Sequence, residues 1–255
     1  HPLRAQCLVL LATPETLAAL RAQLGLDKPA HLRYFHWLTQ LATGDLGVSA
    51  MSNLPVTSLI ATRLPASLVL AGVTALISVP IALSLGIVSA MRQGSALDRG
   101  FNLMTISLVA VPEFLIATLA VLLFAVKLNW LSALSNAADV QSLGDFVRAY
   151  ALPVMTLCCV IIAQMARMTR AAVIDQLGTS YVEMARLKGA RPVRVVLTHA
   201  LPNAIGPIAN AVALSLSYLL GGVVIVETIF NYPGIASLMV DAVTNRDMPL
   251  VQACA

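Results

Sequence analysis

The chain has 255 residues, of which 58% are hydrophobic and 11% are charged, and its formal net charge is +4. Soluble globular domains carry roughly a quarter charged residues, so this composition excludes that class. The modest positive charge is better explained by its placement beside membrane spans than by nucleic-acid binding. We therefore expect an all-α, polytopic membrane protein that contacts lipid and no nucleic acid.

Residues 1–62 are of mixed polarity, and we expect them to form a periplasmic segment of short amphipathic helices. Pro14 suits the first position of one such helix. A second amphipathic segment covers about residues 30–41, and Gly44 and Gly47 end it. Its three aromatic side chains favour an interfacial position, although a packed surface would also explain them.

Four later stretches are predicted membrane spans, and several windows in them exceed the ~20 apolar residues that cross a bilayer as a helix. Pro80 can kink the first, and Pro112-Glu113 interrupts the second. The third can continue as a helix past Arg170 into water, and the stub of a further apolar run begins at about residue 249. The four predicted spans cover about residues 64–91, 101–126, 149–170 and 204–226.

The basic residues are concentrated between residues 167 and 200, where six basic and two acidic side chains give a net charge of +4. Residues 91–102 have a net charge of +1, residues 127–148 of zero, and the tail from Glu227 of −2. Because positively charged short loops stay in the cytoplasm, residues 167–200 are predicted to be cytoplasmic. The N-terminal segment and the C-terminal tail are then predicted to lie outside.

The most polar and most basic run of the chain predicts a helix, a tight turn and a second helix. Ser180 and Glu183 have the spacing of a capping box, which predicts a helix over about Tyr181–Lys188. Gly189 supplies the left-handed residue that commonly ends a helix. Pro192 cannot continue this helix but suits the first turn of the next one.

The second helix is expected to stop or kink near Leu201-Pro202, because proline removes an amide donor and restricts the residue before it. The run also carries a motif, Glu183-x-Ala185-x3-Gly189, then nine residues, then His199-Ala200-Leu201-Pro202. This motif resembles the EAA loop of permease subunits of ABC importers. Met184 replaces the first Ala of the family pattern, and His199 stands where Ile is commonest. The His-Ala-Leu-Pro-Asn form is similar to the dipeptide/oligopeptide branch.

The resemblance implies that residues 178–202 form the coupling loop, whose helix sits in a cleft of a cytoplasmic ATPase subunit. Simpler interpretations stay open: Glu183 as only a cap, Gly189 as only a helix terminator, and the basic residues as only positive-inside charges. The residues implied to couple the permease to the ATPase are Tyr181, Glu183, Ala185, Arg186, Gly189, His199, Leu201 and Pro202.

The resemblance covers nearly all of the chain. Gly44-Asp45-Leu46-Gly47, Gly221-Gly222-Val223 and Glu227-x2-Phe230-x2-Pro233-Gly234 are also typical of this branch. The family resemblance implies a type I ABC importer permease-like helical bundle over residues 63–255. Because members of this branch have six helices, we expect the sequence to be a fragment that lacks the first helix and most of the sixth.

The resemblance implies a translocation path for dipeptides, oligopeptides or related small solutes in a bacterial-type inner membrane. A glutathione-like molecule and a nickel chelate stay open as the solute. None of the three lysines is followed by Ser or Thr, so the chain has no Walker A loop and is not expected to be an enzyme. We expect no cofactor or metal in this chain, since ATP and magnesium bind to partner ATPase subunits. Its other implied partners are a second permease subunit, homologous or identical, and an extracytoplasmic solute-binding protein.

Glu113 is the one acid well inside a predicted span, which makes it a functional candidate because a charge there is costly. It could meet a cationic group of the solute, pair within the bundle, or lie near water if the helix breaks at Pro112. Asn210 and Glu227 complete the residues assigned to the translocation path, although Glu227 could equally be structural or part of an external gate.

The alternative function is that of an ion-coupled secondary transporter. Such a protein would be expected to show paired intramembrane acids and inverted repeats, and the sequence has neither. A membrane scaffold that transports nothing is a more distant alternative. ATP hydrolysis that depends on the solute, after reconstitution with ATPase subunits, would separate the three.

Overall fold

The computed structural model describes residues 29–133 and 142–255. Apart from an isolated antiparallel bridge between Val48 and Pro55, the described residues have no β-structure, and the all-α prediction is confirmed. The predicted helix start at Pro14, and Asp139 of the predicted polar connection, lie outside the described ranges. The helices are α1 (Ala30–Ala42), α2 (Val56–Met91), α3 (Ala96–Ala110), α4 (Glu113–Lys127), α5 (Leu143–Leu177), α6 (Ser180–Leu187), α7 (Pro192–Ile229), α8 (Ile235–Thr244) and α9 (Met248–Cys254).

Three of these helices, α2, α5 and α7, are long and apolar enough to cross a bilayer, and α3 together with α4 is a fourth candidate. They correspond in position to the four predicted spans. The helices extend beyond the predicted apolar runs, since α2 begins at Val56 and α5 continues to Leu177. The continuation of the third helix past Arg170 is thereby confirmed.

The second predicted span is two helices rather than one. The axes of α3 and α4 differ by 98° across the break between them. Pro112 has no amide hydrogen and disfavours helical backbone in the residue before it, so Val111 has an extended conformation with φ −85° and ψ 127°. The break leaves Glu113 as the first residue of α4.

The bundle is built around α5, which packs along α2 and α7. Gly86 lets α2 approach α5 closely, because a Cβ at that position would lie 2.7 Å from the Ala166 carbonyl oxygen. Burial of large apolar side chains such as Leu157 and Met165 supplies the contact area of this core. In a bilayer such close packing stabilises helix association, since lipid tails are as apolar as the side chains.

Polar contacts join the helices at the end of the bundle where α2 and α5 begin and α7 ends. The Tyr232 hydroxyl donates to the Ala66 carbonyl oxygen at 2.7 Å and lies 2.9 Å from the Tyr150 hydroxyl. The Ser49 hydroxyl donates to Asp247 at 2.5 Å, so the loop that follows α1 is held against the start of α9. These contacts fix the extramembrane segments on the bundle.

Candidate functional site

The first helix of the predicted coupling loop, α6, covers Ser180–Leu187, within one residue of the predicted range. The predicted capping box is wrong. Thr179 rather than Ser180 is the N-cap residue, and no side chain caps the helix. The Thr179 hydroxyl instead donates to the Gln176 carbonyl oxygen at 2.6 Å, at the end of α5. Glu183 is exposed and does not take part in a capping box.

One face of α6 is packed against the base of α7. Val182 is fully buried and forms a small core with Val195 and Ala200, and Ala185 of the same helix is nearly buried. Ala185 is thus an inward-facing residue of the motif, whereas its neighbours Met184 and Arg186 are exposed. This core connects any movement of α6 directly to the helix that enters the membrane.

The opposite face of α6 is exposed and largely apolar. Met184 is 54% exposed and Leu187 is 76% exposed, while Glu183 and Arg186 are exposed charges. Tyr181 lies at the edge of this face and donates from its hydroxyl to the Gln176 side chain at 2.9 Å. Exposed apolar side chains next to charges, on a helix already packed on its other face, are typical of a docking surface.

The turn after α6 has the geometry that the sequence predicted. Gly189 has a φ of +79°, the left-handed region in which glycine is favoured. Its amide donates to the Arg186 carbonyl oxygen at 2.9 Å, and the Ala190 amide donates to that of Ala185 at 3.2 Å. Pro192 is then the first residue of α7, as expected. The turn therefore sets the angle between α6 and α7.

The helix does not stop at Leu201-Pro202. Residues Val195–Ala200 have π-helical hydrogen bonding, and regular α-helix resumes at Leu201. A π segment shifts the hydrogen-bond register, so Pro202 is accommodated where its missing amide and ring would disrupt an α-helix. His199 lies in this segment, and its carbonyl oxygen accepts from the Asn203 side chain at 2.9 Å.

The three residues predicted for the translocation path are not brought together. Glu113 lies at the start of α4, opposite Gly222 of α7. Asn210 is on an exposed part of α7, about 18 Å along the helix axis from Gly222 at 1.5 Å per residue. Glu227 is fully buried near the end of the same helix.

The surroundings of Glu227 support a structural role. Its carboxylate accepts from the Ser67 hydroxyl at 2.5 Å and from the Ser237 amide at 3.1 Å, which joins α2, α7 and α8. Gly234 approaches the same carboxylate so closely that a side chain there would overlap it. The residues of the Glu227…Pro233-Gly234 motif thus form one buried hydrogen-bonded corner.

Around Glu113 the structure places polar residues that the sequence reasoning missed. A cavity of about 70 Å³ is lined by Glu113, Gln164, Ser215 and Tyr218 together with apolar residues. Polar side chains within otherwise apolar spans were a usable signal for them. Their convergence depends on the packing of α4, α5 and α7, which no local pattern specifies.

The buried ion pair between Asp98 and Arg170 was also missed. In the sequence these residues were only members of basic loops. In the structure they join α3 to α5 at the base of the bundle, the end that carries α6. The pair therefore holds α3 and α5 together at the end of the bundle where α5 leads into α6.

A sequence-family model described as binding-protein-dependent transport system inner membrane component matches residues 82–255. The chain belongs to this family. The resemblance drawn from the EAA motif is therefore confirmed. The protein is an ABC importer permease, a membrane subunit that is not itself catalytic.

Similar proteins cover most of this permease. A probable peptide ABC transporter permease protein of Sinorhizobium fredii is 35% identical over 241 residues, 94% of this chain and 77% of the relative. A glutathione transport system permease protein of Salmonella typhimurium is 35% identical over 248 residues, 96% and 78% of the two chains. A putative peptide transport system permease protein of Brucella abortus is 36% identical over 241 residues, 94% and 77% of the two chains.

As the permease of an ABC transport system, the chain works with ATPase and solute-binding components. The family assignment removes the ion-coupled secondary transporter as the alternative. Transport is the function of the assembled system, and this chain supplies its path through the membrane.

Proposed function

We propose that this permease imports peptides or related small solutes, with α6 as the cytoplasmic coupling helix that docks into an ATPase subunit. The coupling role is supported by the packing of α6, which has one buried face and one exposed apolar face. Val182 packs its inner face against Val195 and Ala200 of α7, while Met184 and Leu187 leave an apolar outer face without a partner in the described structure. A helix held in this way transmits a push on its outer face to the membrane span behind it.

The charge of the same region supports its cytoplasmic position. Arg191 and Arg194 line a groove of about 790 Å³ beside the α6–α7 turn. Short segments rich in arginine and lysine stay on the cytoplasmic side of a bacterial inner membrane. In this orientation ATP and magnesium are bound by the ATPase subunits, and the solute-binding protein meets the opposite end of the permease.

A second permease subunit is proposed to cover the face that carries Glu113. Tyr218 is 65% exposed beside it, and the polar residue Ser217 is exposed on the same part of α7. A carboxylate in the hydrocarbon core costs about 2.5–3.5 kcal/mol, so such residues face a protein interior or a water-filled path rather than lipid. Two copies or two homologous chains facing each other would enclose that path.

The names of the relatives support the proposed solute class. Two of the three similar permeases are named for peptides and one for glutathione, which is itself peptide-like. Peptides and glutathione share an amino group, carboxylates and amide bonds. We therefore propose a peptide-like solute, and dialanine as its simplest probe.

Reconstitution with the cognate ATPase and solute-binding subunits tests this proposal. Dialanine is expected to stimulate ATP hydrolysis and to accumulate in proteoliposomes in an ATP-dependent manner. Leu187→Ser, which removes apolar area from the outer face of α6, is expected to reduce ATPase co-purification and uptake together. Leu41→Ser changes an exposed leucine of α1, outside the coupling loop, and should leave both unchanged. Unchanged ATPase co-purification in Leu187→Ser would contradict the docking role of α6.

A further inference from the structure

The cavity beside Glu113 has an inner recess and an outer groove. The recess has a volume of about 70 Å³ and is lined by side chains from α4, α5 and α7. Glu113, Tyr218 and Gly222 also line a wider groove of about 430 Å³, which Ser217 and Gly221 border on its outer side. The Glu113 carboxylate therefore lies where a small recess opens into a larger space.

Gly222 brings the backbone of α7 against the carboxylate. A Cβ at this position would lie 2.7 Å from the Glu113 Oε1 atom and 2.9 Å from Oε2. Any other residue would push the carboxylate away, since real Cβ atoms essentially never come so close to an oxygen. The absence of a side chain at position 222 thus leaves both carboxylate oxygens at the mouth of the recess.

Ser215 supplies an independent polar group. This residue is 1% exposed and lines the recess, and its hydroxyl has no hydrogen-bond partner among the described residues. A serine in a helix can satisfy its hydroxyl by donating to the carbonyl oxygen four residues earlier, as Ser217 does with Ala213 at 3.0 Å. Ser215 does not, so its hydroxyl oxygen is available to a group inside the recess.

Glu113 likewise has no ion-pair partner among residues 29–133 and 142–255. The pairing alternative is thus not realised within this part of the chain. A carboxylate at membrane depth is costly when it is left without a counter-charge or water. A cation entering the recess would supply the missing counter-charge.

The geometry points to the recess as a site for the ammonium group of the solute. Glu113, Ser215 and Gln164, whose side chains bear carboxylate, hydroxyl and carboxamide oxygens, line it. An ammonium group has three donors and no acceptor, so three side chains that can each accept a hydrogen bond match it. The recess holds a few water-sized groups and excludes a whole peptide. The remainder of a peptide would lie in the outer groove.

The inference rests on the proposed peptide-like solute, since every unblocked peptide carries an amino terminus. It also deepens that proposal, because it makes the free amino group, rather than the side chains, the part that the membrane path recognises. Different side chains would be tolerated in the wider groove.

A labelling experiment on the assembled transporter tests the site without relying on transport. Ser217→Cys places a thiol on the exposed border of the groove, and the adduct at position 217 formed with N-ethylmaleimide is measured by mass spectrometry. Propylammonium is expected to slow this labelling, whereas 1-propanol, a neutral molecule of similar size, should not. With Glu113→Gln added, the propylammonium concentration for half-protection should rise about tenfold or more, since a charge-assisted hydrogen bond is lost.

Two further variants keep the result interpretable. Ser215→Ala preserves the charge and should raise that concentration roughly threefold, the effect of one neutral hydrogen bond. Asp241→Asn removes an exposed acid from α8, outside the recess and the groove, and should leave protection unchanged. If the Glu113→Gln permease does not assemble with its partner subunits, the propylammonium concentrations for half-protection are compared in Ser215→Ala and Glu113→Asp instead. Equal protection by propylammonium and propanol, or protection that survives in Glu113→Gln, would overturn the ammonium site.

Dialanine uptake by the wild-type transporter separates this inference from the proposed function. Protection by propylammonium without any import of dialanine would leave the ammonium site standing and refute the peptide-like solute. Import of dialanine with full activity in Glu113→Gln would refute the site and leave the proposed function intact. Loss of dialanine import in Glu113→Gln, with ATPase subunits still bound, supports both the ammonium site and the peptide-like solute.

Discussion

The carboxylate of Asp98 and the guanidinium of Arg170 form a bidentate ion pair, with N–O distances of 2.7 and 2.8 Å. The same carboxylate accepts from the Ser89 hydroxyl at 2.5 Å and from the Gly94 amide at 3.0 Å. One nearly buried side chain thereby joins α2, α3 and α5 where the bundle meets α6. The pair therefore holds three helices together at the end of the bundle that carries α6.

Removing one member of this pair is expected to destabilise the permease. Asp98→Asn leaves Arg170 without its counter-charge, and breaking a buried pair from one side costs about 3–5 kcal/mol. We expect a lower midpoint of thermal unfolding in detergent and a lower yield of monodisperse protein. Arg99→Gln, at the neighbouring exposed position, is the control and should leave both measurements unchanged. An unchanged midpoint in Asp98→Asn would show that the pair adds no stability.

The orientation of the permease can be tested with single cysteines at exposed positions. Cysteines at Gln93 and Lys188 should react with a membrane-impermeant maleimide only in inside-out vesicles. Cysteines at Met51 and Met248, which are each 62% exposed, should react only in intact spheroplasts. The expectation follows from the basic residues of the α6–α7 region. Reaction of position 188 from outside would contradict both the orientation and the docking of α6.

The turn of the coupling loop could be predicted from sequence because its determinants are local. Gly189 and Pro192 restrict the backbone wherever they occur, and both are found in the predicted conformations. The capping box failed for an equally local reason. Thr179 and Ser180 both carry a hydroxyl group that could cap the helix, and Thr179 is the N-cap residue. Its hydroxyl donates a hydrogen bond to Gln176 of the preceding helix instead of capping α6.

The Glu113 recess could be predicted only in part. Glu113 could be identified as a candidate because a charge within a span is costly, and Pro112 indicated the helix break beside it. Ser215 and Gly222 could not be matched to it, because they lie on α7 and reach Glu113 only through the packing of three helices. The Asp98–Arg170 pair failed in the same way, since charge counts in loops carry no information on partners 72 residues apart.

Acidification should weaken the contact between Ser49 and Asp247. Burial alone would raise the pKa of Asp247, but hydrogen bonds from the Ser49 hydroxyl and from the Ala50 and Leu250 amides hold the pKa below its ordinary value of 3.8. A carboxyl whose pKa is lower in the folded than in the unfolded protein gives its full stabilisation at pH values above the unfolded-state pKa. This stabilisation is lost as the pH falls through the folded-state pKa.

The corresponding variant is Asp247→Asn. Unfolding midpoints measured between pH 7 and pH 3 should show the wild type more stable than the variant at neutral pH. The difference should begin to shrink only below about pH 4, where the unfolded-state carboxyl takes up its proton. Asp45→Asn, an exposed acid in the same loop region, is the matched control. A difference that stays constant down to pH 3 would contradict the lowered pKa.

The last prediction concerns Gly189 and the transmission of force from α6 to α7. A valine at this position would have to adopt a φ near +79°, which is a genuine outlier for a β-branched residue. No atom lies within 4 Å of a Cβ built there, so the substitution acts through backbone strain alone and not through a clash. The strain should re-orient α6 relative to α7, so that ATP-driven closure no longer reaches the span.

We expect Gly189→Val to abolish ATP-dependent uptake while the permease still inserts in the membrane, because the four candidate spans lie outside the turn. Gly100→Val is the matched control, since that glycine is also exposed and free of close neighbours but lies inside α3 with a negative φ. Glu183→Ala should give a milder defect, as Glu183 does not cap α6 and can contribute only a surface contact to the ATPase subunit. Uptake, ATPase co-purification and membrane content are measured for all three variants. Normal uptake in Gly189→Val would refute the coupling role of the turn, and loss of the protein from the membrane would show that the turn is needed for folding instead.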